Sequence, residues 1–239
     1  MNVVVTGGGT IAPIDDVRHI ANTSSGRFSA MITEACLARG AEVWHVHAPT
    51  AQRPFERLAH FDLAAPDPAA EHARLDRLRR DWLHARDRLR LVPLRTGTVA
   101  DYAAQLREVL RARPIDVAFL AMAASDFEPQ PVAGKIASGA DDLVLRCAAT
   151  PKVIRMVRDW APGSFLVGFK LLSGVTPEEL IAAAAAAGAA NRADLTVAND
   201  LSTVRQGRHT IHLVRPGHPP ETFGPDEPIA DCLVERVFS

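Results

Sequence analysis

Short apolar runs alternate along the chain with segments in which apolar residues recur every three or four positions. The runs "VVV", "AEVWHVH", "IDVAFLAMAASDF" and "SFLVGFK" are typical of buried strands. The segments between them have the spacing of amphipathic helices, and the first is predicted over residues 27–39 with Gly40 as its end. This alternation predicts an α/β fold of the Rossmann-like class, an open and mostly parallel sheet with helices on both faces.

Local signals place the later elements. Thr150 followed by Pro151 predicts the start of a helix, and Thr176 with Glu179 has the spacing of a capping box. We expect further strands at "RLVPL", "LVLRC", "ADLTVAND" and "HTIHLV", and a closing amphipathic helix near the C-terminus. Ligands of such sheets bind beyond the carboxyl ends of the strands. Four of these ends carry polar or glycine-rich sequence: Gly7 to Thr10, Ser125 to Asp126, Phe169 to Lys170, and Asn199 to Asp200.

One segment differs in composition from the rest of the chain. Residues 49–90 are rich in Arg, Asp and His, and Leu75, Leu78, Trp82 and Leu89 recur there at near-helical spacing. We interpret this segment as a charged helical insert in a single domain that covers residues 1–239. Such an insert can cover a site, bind a partner or be only a solvated helix, and the sequence leaves these three roles open.

The charge balance narrows the classes of partner. The 239 residues carry a formal net charge of -1, so no surface for non-specific binding of nucleic acid or anionic membrane is predicted. No apolar stretch approaches the roughly 18 residues that a membrane helix needs. The three cysteines are far apart in sequence, which is typical of reduced thiols rather than a disulfide framework. We therefore expect a cytoplasmic protein that binds small molecules.

The first glycine-bearing loop, "TGGGT", matches a dinucleotide-binding turn only weakly. Gly7, Gly9 and Ala12 fit the pattern G-x-G-x-x-A after a strand. A dinucleotide site also needs an acidic residue near the end of the second strand, where this chain has His45 and His47 instead. A NAD(P)-binding protein is therefore kept only as an alternative. The two histidines share one strand face, but no further ligand is identifiable and no metal site is predicted.

The second loop, "NTSSGR", lies directly before the first helix and suits an anion. Backbone N–H groups at a helix N-terminus, with Ser24, Ser25 and Gly26, are suited to phosphate or carboxylate oxygens. An ordinary N-cap loop explains the same residues. Asp126 and Lys135 allow two interpretations as well. Both can serve a phosphate site, or Asp126 can be only a turn cap and Lys135 only a solvated lysine. Two neighbouring anion-suited loops indicate a ligand with more than one anionic group.

Four stretches of the chain resemble phosphopantothenate–cysteine ligases, and they stand in the order of that family. They are "TGGGTIAPIDDVRHIANTSSGR", "FLAMAASDFEPQPVAGKI", "ATPKVIRMVRDWAPGSFLVGFKL" and "ADLTVAND". They look closer to the free-standing eukaryotic type than to the bacterial fused type. The extra lysines of the CTP-dependent bacterial enzymes are absent, since Ala137 follows Lys135 and Ile136 and the helix before "AND" reads "AAAAAAGAANRADL". The resemblance therefore favours ATP over CTP.

The resemblance implies a reaction in two halves. The carboxylate of 4′-phosphopantothenate attacks the nucleotide α-phosphorus to give an acyl-nucleotidylate and pyrophosphate. The amine of cysteine then displaces the nucleoside monophosphate and forms an amide, as a step of coenzyme A biosynthesis. Catalysis by positioning and charge stabilisation is expected, with Mg²⁺ on the triphosphate.

The resemblance also implies roles for individual residues. Asn22, Lys135 and Asp126 would be catalytic, Asn22 by steadying the acyl intermediate and Lys135 by facing the phosphates. Arg18 would reach the substrate phosphate of a neighbouring subunit, because family members are homodimers with a shared site. The remaining roles are substrate binding by Met122 and Ala123, and nucleotide binding by Gly8, Ser24, Gly26, Ser29, Phe169 and Asn199.

Three positions depart from the family pattern and leave alternatives open. The family usually has glycine at Ser29, alanine at Met122 and an acidic residue shortly after "FKL", where this chain has "LSGV". The larger Met122 adds bulk near the expected pantothenate channel. A related ligase that activates a different acid, or joins it to a different amine, therefore remains an alternative. A nucleotide-binding subunit without activity is a third possibility, against which Asn22, Asp126 and Lys135 argue.

Overall fold

The computed structural model of the chain describes residues 1–137, 139 and 142–239. An eight-stranded sheet forms its centre, and two small two-stranded sheets lie beside it. The strands are β1 (Asn2–Gly7), β2 (Ile11–Pro13), β3 (His19–Ala21), β4 (Glu42–His47), β5 (Leu89–Pro93), β6 (Val117–Leu120), β7 (Phe127–Pro129), β8 (Cys147–Ala149), β9 (Phe165–Leu172), β10 (Leu195–Asp200), β11 (Ile211–Val214) and β12 (Glu221–Phe223).

The strand order of the large sheet is β12-β11-β10-β9-β6-β1-β4-β5. Strands β5, β4, β1, β6, β9 and β10 are parallel, and β11 and β12 join antiparallel at one edge. From β1 the chain continues to β4 on one side and later returns to β6 on the other. The carboxyl ends of β1 and β6 therefore flank the point where the strand order reverses.

Helices cover both faces of the sheet, which confirms the Rossmann-like class predicted from the sequence. Val3 and Val5 pack with α1 (Arg27–Ala38) and α7 (Ile229–Phe238) on one face, whereas Val4 packs with α3 (Val99–Ala112) and α4 (Val153–Trp160) on the other. This division follows from the alternation of side chains along a strand. The helices are α1 (Arg27–Ala38), α2 (Pro68–Ala85), α3 (Val99–Ala112), α4 (Val153–Trp160), α5 (Pro177–Asn191), α6 (Leu201–Arg205) and α7 (Ile229–Phe238).

Several local predictions are confirmed and others are wrong. Helix α1 ends one residue before its predicted end, and Thr176 forms the expected capping box with Glu179. Thr150 does not cap α4, because its hydroxyl donates to the Ser125 carbonyl and its N–H donates to the Asp126 carbonyl at 3.0 Å. The helix begins two residues after Pro151. Residues 143–146 are not a strand, and Leu89 belongs to β5 rather than to the insert helix.

The insert helix α2 packs against the end of α1 that is remote from the strand carboxyl ends. Ala85 is buried and Leu78 packs against the same apolar cluster as Leu37. Arg88, just after α2, donates from Nη1 to the Leu37 carbonyl at 2.8 Å. A cavity of about 650 Å³ lies between α1, α2 and α7. In the described ranges, no helix combines the length and the apolar character that crossing a membrane requires.

Candidate functional site

The loops after β1 and β6 are joined by backbone hydrogen bonds at the reversal point of the sheet. The Ala123 N–H donates to the Gly8 carbonyl at 2.9 Å, and the Thr10 N–H donates to the Ala123 carbonyl at 3.0 Å. Thr10 also accepts, on its hydroxyl, the Ser125 N–H at 2.9 Å. These contacts hold both loops in one fixed arrangement. Two of the four predicted strand ends therefore meet at the reversal point, the place where sheets of this kind bind ligands in a crevice.

Asn22 links this crevice to the segment that precedes α1. The β2–β3 hairpin returns the chain to the first loop, where the Asn22 N–H donates to the Thr10 carbonyl at 3.2 Å. The side-chain Nδ2 donates to the Ala123 carbonyl at 2.7 Å. That contact uses one N–H of the half-buried amide and fixes its orientation. The amide oxygen and the second N–H are the atoms with which Asn22 can bind a ligand.

Gly8 and Gly26 line a backbone cradle at the start of α1. Both have positive φ angles, 92° at Gly8 and 75° at Gly26, which favour glycine. A β-carbon at Gly8 would lie 2.7 Å from the β-carbons of Ala48 and Ala51. Gly26 is the N-cap of α1 and has no side chain to cap the helix, and the Arg27 N–H makes a long contact of 3.4 Å to Ser25 Oγ. The first N–H groups of this twelve-residue helix therefore suit an anion, and Ser24 lies half-buried in the same loop.

Of the residues that depart from the family pattern, Met122 points away from the crevice, and the Ser29 hydroxyl is already hydrogen-bonded. Met122 is buried, and its side chain packs in the apolar cluster between the sheet and α3 and α4, so it does not add the expected bulk to a substrate channel. The Ser29 hydroxyl donates to the Gly26 carbonyl at 2.7 Å. It also lies against Gly7, where a β-carbon would be 1.7 Å from the Ser29 oxygen. Ser29 thus stabilises the cradle from beneath.

Asp126 is exposed beside the crevice and forms an ion pair with Lys152. The backbone holds this pair in place, because Thr150 bonds to the carbonyls of both Ser125 and Asp126. Sequence reasoning missed Lys152, since its position after Thr150 and Pro151 suggested part of a helix. In the structure Lys152 is the N-cap of α4, with extended backbone. The pair orients the Asp126 carboxylate toward solvent at the edge of the crevice.

Arg18 and Lys135 lie on two segments that run side by side. The Val132 N–H donates to the Ile14 carbonyl at 2.9 Å, and Arg18 Nη1 donates to the Ile136 carbonyl at 3.3 Å. Lys135 is exposed between these contacts. The structure therefore brings together the two segments that carry the cations which the resemblance assigns to phosphate groups.

Phe169 and Asn199 lie on strands that continue past the end of β6. Phe119 pairs with Val167, so Phe169 lies level with the first residues after β6. Its ring is 6.1 Å, centroid to centroid, from that of Phe28, which is 4.8 Å from the ring of His209. Sequence reasoning missed Phe28 and His209, although Phe28 directly follows the second loop. These three rings form an aromatic wall next to the N-terminus of α1.

Asp200, next to Asn199, fixes the end of β10. Its carboxylate accepts N–H groups from Ser202 at 2.6 Å, Gly174 at 3.2 Å and Val175 at 3.1 Å. The hydrogen bonds from Ser202 lower the pKa of Asp200, and with the bonds from the backbone of Gly174 and Val175 they together outweigh the opposing effect of burial. An ionised Asp200 thus ties β10 to the segment after β9 and keeps Asn199 in place.

His45 and His47 are stacked between the sheet and α1, with ring centroids 5.8 Å apart. His45 Nδ1 lies 2.7 Å from the Thr33 hydroxyl. Burial, aided by His47, lowers the pKa of His45 to about 3. In the described ranges, no group of three or more His, Cys, Asp or Glu could hold a metal ion. The pair therefore belongs to the core beneath the cradle.

This burial of a neutral imidazole makes stability depend on pH. Between the folded pKa of about 3 and the unfolded value of 6.5, the unfolded chain binds a proton that the folded chain does not. Stability therefore falls as the pH drops, and we expect His45 to account for about 2 kcal/mol of the loss between pH 7 and pH 5. Urea unfolding of wild type and His45→Gln at pH 7 and pH 5 measures the part of the stability loss that His45 causes. Because His60 is exposed, His60→Gln should lose as much stability between pH 7 and pH 5 as wild type does. If His45→Gln also lost as much stability as wild type, the assignment to His45 would be refuted.

Comparison with known proteins identifies similar chains. The family model described as the DNA/pantothenate metabolism flavoprotein C-terminal domain matches residues 1–69 and 92–224. Phosphopantothenate--cysteine ligase 1 of Oryza sativa subsp. japonica is 32% identical over 223 residues, which are 84% of this chain and 69% of that protein. The coenzyme A biosynthesis bifunctional protein CoaBC of Thermococcus kodakarensis is 32% identical over 213 residues, which cover 89% of this chain. That match spans only 44% of the length of the Thermococcus protein.

Solved structures give the same picture of the fold. The DNA/pantothenate metabolism flavoprotein from Streptococcus pneumoniae superposes with a TM-score of 0.78 at 28% identity, over 100% of this chain and 98% of that one. A Cab2 mutant in complex with phosphopantothenate-cysteine has a TM-score of 0.81 at 24% identity, over 99% of this chain and 85% of that one. At that identity the second structure shows the fold alone. The family match leaves out residues 70–91, which include most of α2.

Proposed function

We propose that this chain is a ligase that joins 4′-phosphopantothenate to cysteine. The premise is that the chain belongs to the DNA/pantothenate metabolism flavoprotein C-terminal domain family. The relatives named phosphopantothenate–cysteine ligases support this activity and bear out the resemblance of the sequence to that family. The observation that carries the proposal is the Asn22 amide, which is bonded to the Ala123 carbonyl across the crevice. The proposal takes residues 1–239 as one cytoplasmic ligase domain, with the charged insert outside the site.

In this proposal the crevice first brings a carboxylate to the α-phosphorus of a nucleoside triphosphate. One carboxylate oxygen bonds to phosphorus as pyrophosphate leaves, and the amine of cysteine then attacks the acyl carbon and expels the nucleoside monophosphate. The cradle of Gly8 and Gly26 would bind phosphate oxygens, and Lys135 would neutralise the leaving pyrophosphate. Asn22 and Asp126 would hold the activated acid. The chain would act by orientation and charge, because the steps require no enzyme nucleophile.

The nucleotide in this proposal is ATP, with CTP as the second choice. The aromatic wall of Phe28, Phe169 and His209 gives a surface on which a base can stack. The absence of the lysines that mark the CTP-dependent type supports ATP. Mg²⁺ would be held by the triphosphate, and it would offset the negative charge of the phosphates.

Pyrophosphate release tests the proposed activity and the nucleotide together. The purified protein is given 4′-phosphopantothenate, Mg²⁺ and either ATP or CTP at equal concentration, with and without cysteine. We expect sustained pyrophosphate release only with cysteine present, and faster release with ATP. A protein that releases no pyrophosphate with either nucleotide would not be this ligase. Sustained release with an amine other than cysteine would instead support the related ligase, although the buried Met122 removes the structural reason for a different acid.

We further propose a homodimer whose site is shared between subunits. Apolar side chains are exposed around Arg18, with 61% of Val17, 41% of Ile20, 60% of Phe127 and 52% of Val132 accessible. Such a patch is typical of a protein interface. A symmetric dimer that buries this patch would bring the Arg18 of each subunit to the other subunit.

Mixing two inactive variants tests the shared site. In Arg18→Ala the phosphate contact is lost, and in Asn22→Ala the acyl contact is lost. After subunits exchange, half of the dimers are mixed, and one of the two sites in each mixed dimer is intact. We therefore expect about a quarter of the wild-type activity to return, as random pairing of subunits in a two-fold dimer requires. Activity no greater than that of the separate variants would show that Arg18 and Asn22 serve a site within one subunit.

A further inference from the structure

Asp15 is a buried carboxylate on which four hydrogen bonds converge. Its Oδ1 accepts the N–H groups of Val17 at 2.9 Å and Arg18 at 2.7 Å. Its Oδ2 accepts Arg18 Nη1 at 2.7 Å and the Ile136 N–H at 3.0 Å. The Asp15 side chain is 0% exposed, whereas that of Arg18 is 35% exposed. One carboxylate thus bonds to the turn that carries Arg18 and to the segment that carries Lys135.

The neighbouring residue adds a second pair of contacts between the same two segments. The Asp16 N–H donates to the Gly134 carbonyl at 3.1 Å, and the Asp16 carboxylate accepts the Gly134 N–H at 3.1 Å. Gly134 has a φ of 79°, which turns the chain just before Lys135. Lys135 is therefore held on both sides, through Gly134 by Asp16 and through Ile136 by Asp15.

The chemistry of the contacts requires a carboxylate at position 15. Burial alone would raise the pKa of Asp15, but the N–H groups of Val17, Ile136 and Arg18 and the Arg18 charge outweigh it and lower that pKa. All four groups that approach Asp15 are donors. An amide there would turn its own N–H groups toward at least one of those donors. Among residues 1–137, 139 and 142–239, the Arg18 guanidinium bonds only through Nη1, to Asp15 and Ile136, so its other N–H groups can serve a ligand.

We propose that Asp15 is a positioning residue that holds the turn of Arg18 and the segment of Lys135 as one unit, so that each cation is presented to the phosphate group it serves. This rests on the proposed function, which assigns the two side chains to phosphate groups. Asp15 itself contacts no ligand. It bonds directly both to the Arg18 guanidinium and to the backbone next to Lys135, which neither the contact of Val132 with Ile14 nor those of Gly134 with Asp16 do.

The test compares Asp15→Asn with a matched variant at the other end of the sheet. Asp194 also accepts an arginine, Arg158 Nη2 at 2.7 Å, and a backbone N–H, that of Leu166 at 2.7 Å. It lies just before β10, at the amino ends of the strands. We expect Asp15→Asn to raise the KM for 4′-phosphopantothenate and for the nucleotide about tenfold. Asp194→Asn should lower the melting temperature and leave both KM values unchanged.

Two further measurements separate positioning from a merely structural role. If Asp15→Asn only lowers the melting temperature or the fraction of active protein, with wild-type KM values, the proposal is overturned. In the Arg18→Ala background, Asp15→Asn should leave the KM for 4′-phosphopantothenate nearly unchanged and still raise that for the nucleotide through the Lys135 segment. Asp15→Glu keeps the charge and should recover part of the lost affinity. Asp15→Glu also replaces Asp15→Asn if the latter does not fold, with a threefold or larger rise in both KM values expected.

A binding probe keeps this inference separate from the proposed activity. Inorganic pyrophosphate is titrated into wild type, Asp15→Asn and Asp194→Asn by calorimetry, which needs no turnover. We expect the affinity to fall about tenfold in Asp15→Asn and to stay at the wild-type value in Asp194→Asn. Equal affinity in all three proteins would refute the positioning role, whether or not the wild type makes an amide. Wild type that binds pyrophosphate but makes no product would refute the proposed function alone.

Discussion

Asn22→Ala should release one equivalent of pyrophosphate per active site and then stop. The cradle and Lys135 remain, so the carboxylate is still activated, but the acyl-nucleotidylate loses the amide that holds it for attack by the amine. Removal of one such preorganised donor costs about 100- to 1000-fold in rate. We therefore expect steady-state amide formation to fall by about that factor, while the first turnover of pyrophosphate release stays near the wild-type rate. Rapid-quench measurement of pyrophosphate and product separates the two phases.

Asn2→Ala is the matched control for this variant. Asn2 also donates from Nδ2 to a backbone carbonyl, that of Pro114 at 2.9 Å, but it lies at the amino end of β1. Asn2→Ala should leave the rates of both phases unchanged, and it should lower the stability by about as much as Asn22→Ala does. If Asn22→Ala instead abolished the pyrophosphate burst, Asn22 would act in activation, and its role in the second step would be wrong.

Gly9→Ala should disable the site through the backbone alone. A β-carbon at Gly9 would lie 2.4 Å from the Asn22 carbonyl oxygen, a contact that only a backbone shift can relieve. Overpacking of this kind costs about 1–3 kcal/mol of stability. The shift moves Asn22 relative to Ala123, and a displacement of about 1 Å at a reacting centre can cost about 100-fold in rate. We expect kcat/KM to fall by about that factor in a protein that remains folded at 25 °C.

Gly163→Ala provides the control, because within the described part of the chain no atom beyond the residue itself and its two neighbours lies within 4 Å of a β-carbon there. This variant should keep wild-type activity and stability. Circular dichroism and urea unfolding of both variants show whether the protein is folded in the assay. Near-wild-type kcat/KM in Gly9→Ala would mean that the distance between the first loop and Asn22 does not control the reaction.

The sequence predicts the main sheet except β12, and its helices except the five-residue α6, because their signals are strong and local. Apolar runs such as Val3 to Val5 are long enough to mark buried strands, and the capping box at Thr176 marks a helix start by itself. The short hairpins escape this reasoning. β3 is exposed along its whole length, and β2, β7 and β8 have three residues each, so no alternation of buried and exposed positions identifies them. These hairpins shape the site, so its details could not follow from periodicity.

The residues of the candidate site likewise fall into those that the sequence predicts and those that it does not. Motif resemblance brings Asn22, Ala123 and the cradle glycines into one crevice, where the structure places them. It does not identify Asp15 or Lys152, because a carboxylate in a turn and a lysine after a proline have many uses. Their role depends on contacts between residues more than twenty positions apart in sequence, such as Asp15 with Ile136. Residue size alone was also misleading at Met122, whose side chain turns into the core.

The most direct test of the proposed ligase reaction traces one oxygen atom of the substrate carboxylate. 4′-Phosphopantothenate labelled with ¹⁸O in its carboxylate is converted with ATP and cysteine, and all products are analysed by mass spectrometry. If the carboxylate attacks the α-phosphorus, one labelled oxygen must leave in the nucleoside monophosphate while pyrophosphate carries none. Label in inorganic phosphate would mean attack on the γ-phosphorus, and absence of a labelled amide product would mean that the chain is not this ligase.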